Sequence, residues 1–163
     1  MKLIIIISGY YFLSLLLVIN NSHADEHYFP QPADLYEAAN KANDKNIPII
    51  ILISSIHCDY CKFIKREFLV PMIKSGEYKN KVILKVIEDD LNDEVIDFNN
   101  QLIDSGIFSE RYSISFTPTM IIVDHEGNEL TERIIGLQSE EYYGAFIDQA
   151  IENALTKIAI VRK

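Results

Sequence analysis

The chain has no tryptophan, only two cysteines and too few basic residues to balance its acids, with 15 Lys and Arg against 24 Asp and Glu for a net charge of −9. The shortage of positive charge argues against a nucleic-acid partner, because a phosphate backbone is bound by clustered Lys and Arg. Two cysteines are too few for a scaffold stapled by several disulfides. They are also too few for an all-cysteine zinc site, and the four histidines that could complete one are scattered along the chain. Internal repeats and low-complexity tracts are absent as well, so a single globular domain is expected.

What is present begins with a basic start and an apolar run. Met1-Lys2 leads into Leu3-Ile4-Ile5-Ile6-Ile7 and Leu13 to Ile19, and the run ends at Ser22-His23-Ala24 before Asp25-Glu26. Small residues at positions 22 and 24 give the Ala-x-Ala type of end, so residues 1–24 read as a cleavable secretory signal. An uncleaved anchor is the alternative, although the stretch is broken by Ser8, Gly9 and Ser14 and is short for a span of about 20 residues. Either way the rest of the protein is expected to be exported. Cleavage removes Lys2 and no acid, leaving 14 basic and 24 acidic residues, or −10. Residues 25–163 are enough to build a core without staples, so a cysteine pair there reads as working rather than holding.

The pair is Cys58-Asp59-Tyr60-Cys61, at the junction of a strand-like and a helix-like segment. Pro48 followed by Ile49-Ile50-Ile51-Leu52-Ile53 reads as a strand buried on both faces. Phe63, Ile64, Phe68 and Leu69 then recur at the spacing of one helical face. Cys58 therefore falls at or just before a helix N-terminus, where free N–H groups and the helix dipole favour a thiolate; this makes it the nucleophile. Cys61, one turn further in, can close a disulfide or resolve a mixed one. Half of a zinc site and an inert structural disulfide are the competing readings.

Along the remaining chain, residues 25–32 read as a loose arm and Ala33 to Ala42 as a helix. Lys81 to Ile87 reads as a second strand and Asn92 to Asp104 as a helix carrying Val95, Ile96, Phe98, Leu102 and Ile103. Pro71 should bend or end the cysteine helix, with Ser75-Gly76 as a stop. Met120 to Val123, the turn His125 to Asn128 and Leu130 to Ile135 form a hairpin. Ser139 caps a last helix with Glu140 and Glu141 in its first turn. Glu88-Asp89-Asp90 reads as a solvated charge run, and Tyr112, Tyr142 and Tyr143 as packing residues.

This order, with the cysteine pair after the first central strand and Thr117-Pro118 before the hairpin, resembles the thioredoxin fold: α/β, a central mixed sheet flanked by helices, here over residues 33–163. Within that superfamily, Ser55 to Glu67, with Cys58-Asp59-Tyr60-Cys61-Lys62, looks most like the exported thioredoxin-like proteins of the SoxW and thiol:disulfide interchange type. Phe116-Thr117-Pro118-Thr119 to Gly127 is similar to the family segment in which Thr-Pro, an apolar strand, Asp and Gly succeed one another. The resemblance implies that Pro118 is a cis-proline facing the dithiol and that Thr117, Pro118, His57 and Tyr60 contact substrate, with Asp59 modulating the cysteines. It also implies protein substrates with disulfides, a membrane thiol–disulfide electron donor, a periplasmic or otherwise exported location, a monomer, and no cofactor beyond the redox-active disulfide.

Three departures stand out. His57 replaces the usual tryptophan before the first cysteine, Leu52 stands where thioredoxins bury an acid, and Asp59-Tyr60 replaces Gly-Pro. A cationic His57 would lower the Cys58 pKa and an ionised Asp59 would oppose it. The expected activity is reduction or isomerisation-type exchange of disulfides in exported proteins. The alternative is a copper-binding metallochaperone of the same fold, since two thiolates and the His57 imidazole suit Cu(I).

Overall fold

The computed structural model describes residues 28–90 and 93–161. The signal expected over residues 1–24 lies outside them. The chain runs β1 (Ala33–Asp34), α1 (Leu35–Lys45), β2 (Ile49–Ser54), α2 (Asp59–Ile64), a π-helical turn (Lys65–Leu69), α3 (Val70–Ser75) and β3 (Ile83–Glu88). It continues with β4 (Glu94–Ile96), β5 (Leu102–Asp104), α4 (Ser105–Arg111), β6 (Thr119–Val123), β7 (Ile134–Ile135) and α5 (Tyr143–Val161).

Every residue of β2 is buried, because β2 lies inside a four-stranded sheet of order β3-β2-β6-β7 and both its faces are covered. It pairs parallel with β3 and antiparallel with β6, so the sheet is mixed. Side chains of a strand alternate between faces, and β2 divides accordingly. Ile50 and Leu52 join Val86, Met120 and Ile122 in a core with Ile64, Leu69 and Met72 from the cysteine segment and Tyr143, Ile147 and Ile151 from α5. Ile49, Ile51 and Ile53 join Ile87, Ile121 and Val123 in a second core with Leu35, Ala38 and Ala42 of α1 and Phe108 of α4.

The segment read as a helix over 92–104 is instead a hairpin, β4 and β5, which with β1 makes a small three-stranded sheet. Asp97 decides this. Its buried carboxylate accepts the amides of Asn99 at 2.9 Å and Gln101 at 3.0 Å, and Asn100 takes φ 61°. A turn so tied reverses the chain, and Val95 is then buried by strand pairing rather than by a helical face. Burial alone would raise the Asp97 carboxyl, but the Arg111 guanidinium at 2.8 Å and those amides outweigh it and hold it below its ordinary value.

Other expectations shift at their edges. The described part of the arm is tied down, with Phe29 buried and Gln31 Nε2 donating to the Val86 carbonyl at 2.9 Å. The helix does not end at Pro71. A π turn, with the Val70 N–H bonded back to the Lys65 carbonyl, carries the chain past it, and Gly76 at φ 72° ends α3. The returning strand is short, and α5 starts at Tyr143 rather than Ser139.

Two tyrosines predict an alkaline signature. Burial, with Glu129 and Asp124 nearby, pushes Tyr112 up to about 12, and its hydroxyl donates to the Gly127 carbonyl at 2.8 Å. A bond to Asp148 at 2.7 Å pushes Tyr78 to about 12. A phenol whose folded pKa is raised contributes stability that is complete below its unfolded value near 10 and is lost as pH climbs through about 12. Tyrosinate absorbance should therefore show a late fraction, and unfolding by denaturant should become easier across that window. Ionisation of every tyrosine near pH 10 in the folded protein would contradict it.

Candidate active site

The β2 strand ends at Ser54, and the loop Ser55 to Cys58 carries the chain over the end of the sheet into α2. Cys58 is the N-cap of that helix. Its backbone is extended, its N–H donates to the Ser55 carbonyl at 3.1 Å and its carbonyl accepts from Lys62 N–H at 3.1 Å. Its Sγ accepts the Cys61 N–H at 3.1 Å. One otherwise free amide of the first helical turn thus points at the sulfur, the local arrangement that stabilises negative charge there.

Cys58 and Cys61 form a disulfide, with Cα atoms 5.2 Å apart. The two sulfurs are not equivalent. Cys61 has no exposed surface, whereas Cys58 is half-buried. Only one of them is open to another molecule.

The rim is apolar and exposed. Ile56, Tyr60 and Phe116 are 54%, 62% and 73% exposed. His57 and Asp59 are exposed too, Asp59 with Lys62 Nζ at 3.4 Å. Thr119 pairs with Ile53, which places Thr117 and Pro118 at the same end of the sheet as the cystine. The Thr117–Pro118 bond is cis, Pro118 is buried, and its carbonyl accepts from Gly136 N–H at 2.8 Å. The Asp124 to Asn128 turn follows Val123, which pairs with Ile49, so His125 lies at the opposite end. Among the described residues no three His, Cys, Asp or Glu side chains are placed to hold a metal ion.

The sequence profile described as a thioredoxin-like domain matches residues 35–151. The chain belongs to the thioredoxin-like domain family. No curated protein matches its sequence. The oxidised mitochondrial thioredoxin 3 of Saccharomyces cerevisiae is similar in structure at 17% identity and TM-score 0.52, over 80% of this chain and 99% of that one. The thioredoxin of Trypanosoma brucei brucei is 20% identical at TM-score 0.46, over 78% of this chain and 94% of that one. At 17% identity the likeness to the yeast protein is one of fold. A thioredoxin-like fold with a disulfide of Cys-x-x-Cys spacing supports thiol–disulfide oxidoreductase chemistry in general terms.

This thioredoxin-like site holds residues that sequence reasoning passed over. Leu52 is fully buried in the core, so strand β2 offers no acid beneath Cys61. The acids come from the end of β3 instead. Glu88 pairs with Lys65, one turn past Cys61, at 2.7 Å, with side chains 14% and 9% exposed. Asp89 Oδ2 accepts from Ser109 Oγ of α4 at 2.6 Å. Asp90 bonds the cysteine loop itself, to Ser55 Oγ at 2.7 Å and Ile56 N at 2.8 Å. Glu88-Asp89-Asp90 is therefore not a solvated charge run. The available signal was its position: in a parallel pair, the residues that follow β3 emerge beside those that follow β2.

Proposed function

We propose that residues 25–163 form an exported thiol–disulfide oxidoreductase of the SoxW and thiol:disulfide interchange type, which reduces or exchanges disulfides in other exported proteins. The unequal exposure of the two sulfurs at the start of α2 supports this reading. In the reduced protein the Cys58 thiolate attacks one sulfur of a substrate disulfide. The S–S bond breaks, the other substrate sulfur leaves as a thiolate, and a mixed disulfide forms. Cys61, deprotonated, then attacks Cys58 Sγ and releases the second substrate sulfur as a thiolate. The substrate gains two electrons and the protein keeps the Cys58–Cys61 disulfide. The redox couple is the cysteine pair, with no separate cofactor.

An extended substrate segment lies along the backbone of Thr117 beside cis Pro118, as a strand added to a sheet edge, and contacts Tyr60 and His57. Asp59 opposes Cys58 ionisation. Because an oxidising compartment keeps no soluble thiol pool, a membrane thiol–disulfide donor returns the electrons, and the protein works as a monomer.

With dithiothreitol as donor, the protein is expected to precipitate insulin by reducing its interchain disulfides faster than dithiothreitol alone. Equal rates with and without the protein would remove the proposal. For export, the secreted product should begin at Asp25 by intact mass. Retention in the cytoplasm with Met1 present would remove that part and leave the chemistry standing.

A further inference from the structure

The loop that presents the nucleophile is held by a carboxylate from a neighbouring strand. Asp90 Oδ1 takes the Ser55 hydroxyl at 2.7 Å and Oδ2 takes the Ile56 amide at 2.8 Å. Ser55 passes the restraint on. Its Oγ accepts His57 N–H at 3.2 Å and its carbonyl accepts Cys58 N–H at 3.1 Å. The backbone N–H groups of residues 56, 57 and 58 are thus all fixed, directly or through Ser55, by one side chain. Asp90 is fixed in turn. Its N–H donates to Asp93 Oδ2 at 3.2 Å, and Asp93 N–H donates back to the Asp90 carbonyl at 3.2 Å. Ser105 N–H donates to the Asp93 carbonyl at 2.9 Å and Ser109 holds Asp89, so the brace is anchored on α4.

A turn could be tied with neutral groups, and Ser55 already offers one. Here the anchor is an acid, half-buried, bonded to the two residues that lead into the Cys58 loop. An anion in that place repels a thiolate on Cys58 and leaves the uncharged disulfide untouched. Besides Asp89 and Asp93, which flank Asp90, the other ionisable groups on the loop and the helix turn behind it are His57, Asp59 with Lys62, and Lys65 with Glu88. Lys65 and Glu88 form a close, nearly buried pair, and Asp59 meets Lys62 only from an exposed position and adds its own opposition to Cys58 ionisation; Asp90 is the carboxylate bonded directly to the loop.

We infer that Asp90 is a positioning residue for Cys58: it fixes the loop that aims the sulfur, and its charge biases the Cys58–Cys61 couple toward the reducing side. This rests on the thiol–disulfide reading above and gives that reading a direction. Stabilising the thiolate stabilises the reduced state and makes a couple more oxidising. Removing the anion should therefore raise the potential.

The test uses the purified protein equilibrated with glutathione, together with insulin reduction. Asp90→Asn keeps a side-chain oxygen for one bond and loses the charge. It is expected to shift the equilibrium three- to tenfold toward the reduced protein, a rise of roughly 15–30 mV. Asp90→Glu, which keeps the charge, should leave the potential near wild type. Ser55→Ala keeps the charge and cuts the bridge to His57. It is expected to lower kcat/KM for insulin with the potential little changed, a split that a general loss of stability would not produce. It also carries the positioning claim should an Asp90 variant fold poorly. An Asp90→Asn equilibrium constant equal to wild type, or an unchanged Ser55→Ala rate, overturns the inference. Neither result touches the proposed chemistry, which is tested separately by insulin reduction with and without the protein and by Cys58→Ser.

Discussion

Cys58→Ser is expected to bring disulfide reduction down to the rate of the chemical donor alone, while Cys61→Ser turns the protein into a trap that accumulates mixed disulfides with its substrates. The asymmetry follows from where the fold places two chemically identical side chains. Cys61 lies in the first turn of α2 with no exposed surface. No polypeptide disulfide reaches it in line. Cys58 is half-buried at the N-cap, with the Cys61 amide 3.1 Å from its sulfur. A serine there places a hydroxyl in the same position, but a hydroxyl does not ionise near neutral pH and so does not attack. In Cys61→Ser the first attack proceeds and the second has no sulfur. Substrate then stays bound until an outside thiol releases it. The check is non-reducing electrophoresis with mass spectrometry of the adducts. Adducts on Cys61 in the Cys58→Ser protein, or equal trapping by both variants, would show that the sulfurs are interchangeable and would remove the mechanism.

The elements that could be read from sequence are those whose cause is local. Pro48 and five branched or apolar residues make β2 wherever they are packed, and Cys58 marks the start of α2 because an extended residue must precede the first helical turn. The turn at His125 to Asn128 carries its own closure, since Asp124 Oδ1 accepts the amides of Glu126 and Asn128 at 2.9 Å each. Residues 92–104 read as a helix in the sequence because Val95, Ile96, Leu102 and Ile103 satisfy a helical spacing as well as they satisfy two short strands. What decides between them is the Asp97 turn and the pairing of β1 with β4, and the second spans most of the first half of the domain. The site was legible to the same degree. Cys58 and Cys61 announce themselves, whereas Asp90 acts on Ser55 and Ile56 across 35 and 34 residues. An acid after a strand has no visible partner until the sheet register is known.

Glu88→Ala is expected to be the most destabilising single change near the site. Lys65 leaves the π turn with its side chain 9% exposed, and its ammonium finds Glu88 Oε1 at 2.7 Å. Glu88 Oε2 and Ser54 Oγ, on paired residues of β3 and β2, are buried with no hydrogen-bond partner among the described residues. A cation in that setting has one counter-charge within bonding distance. Removing it leaves a nearly buried ammonium without its counter-charge, a cost of about 3–5 kcal/mol. In a domain of this size that lowers Tm by roughly 10–15 °C. The pair itself need not stabilise, because desolvating two charges offsets most of their attraction. Lys65→Met with Glu88→Leu should therefore recover much of the loss, and the single changes should fail to add, with a coupling of about 2 kcal/mol or more. Equilibrium unfolding of the four proteins in urea measures it. A Glu88→Ala protein within about 1 kcal/mol of wild type would mean that solvent serves Lys65 directly. Because Lys65 lies one turn beyond Cys61, the loss should appear first as fraying of α2, seen as faster amide exchange at Cys61 and Lys62 than in the sheet.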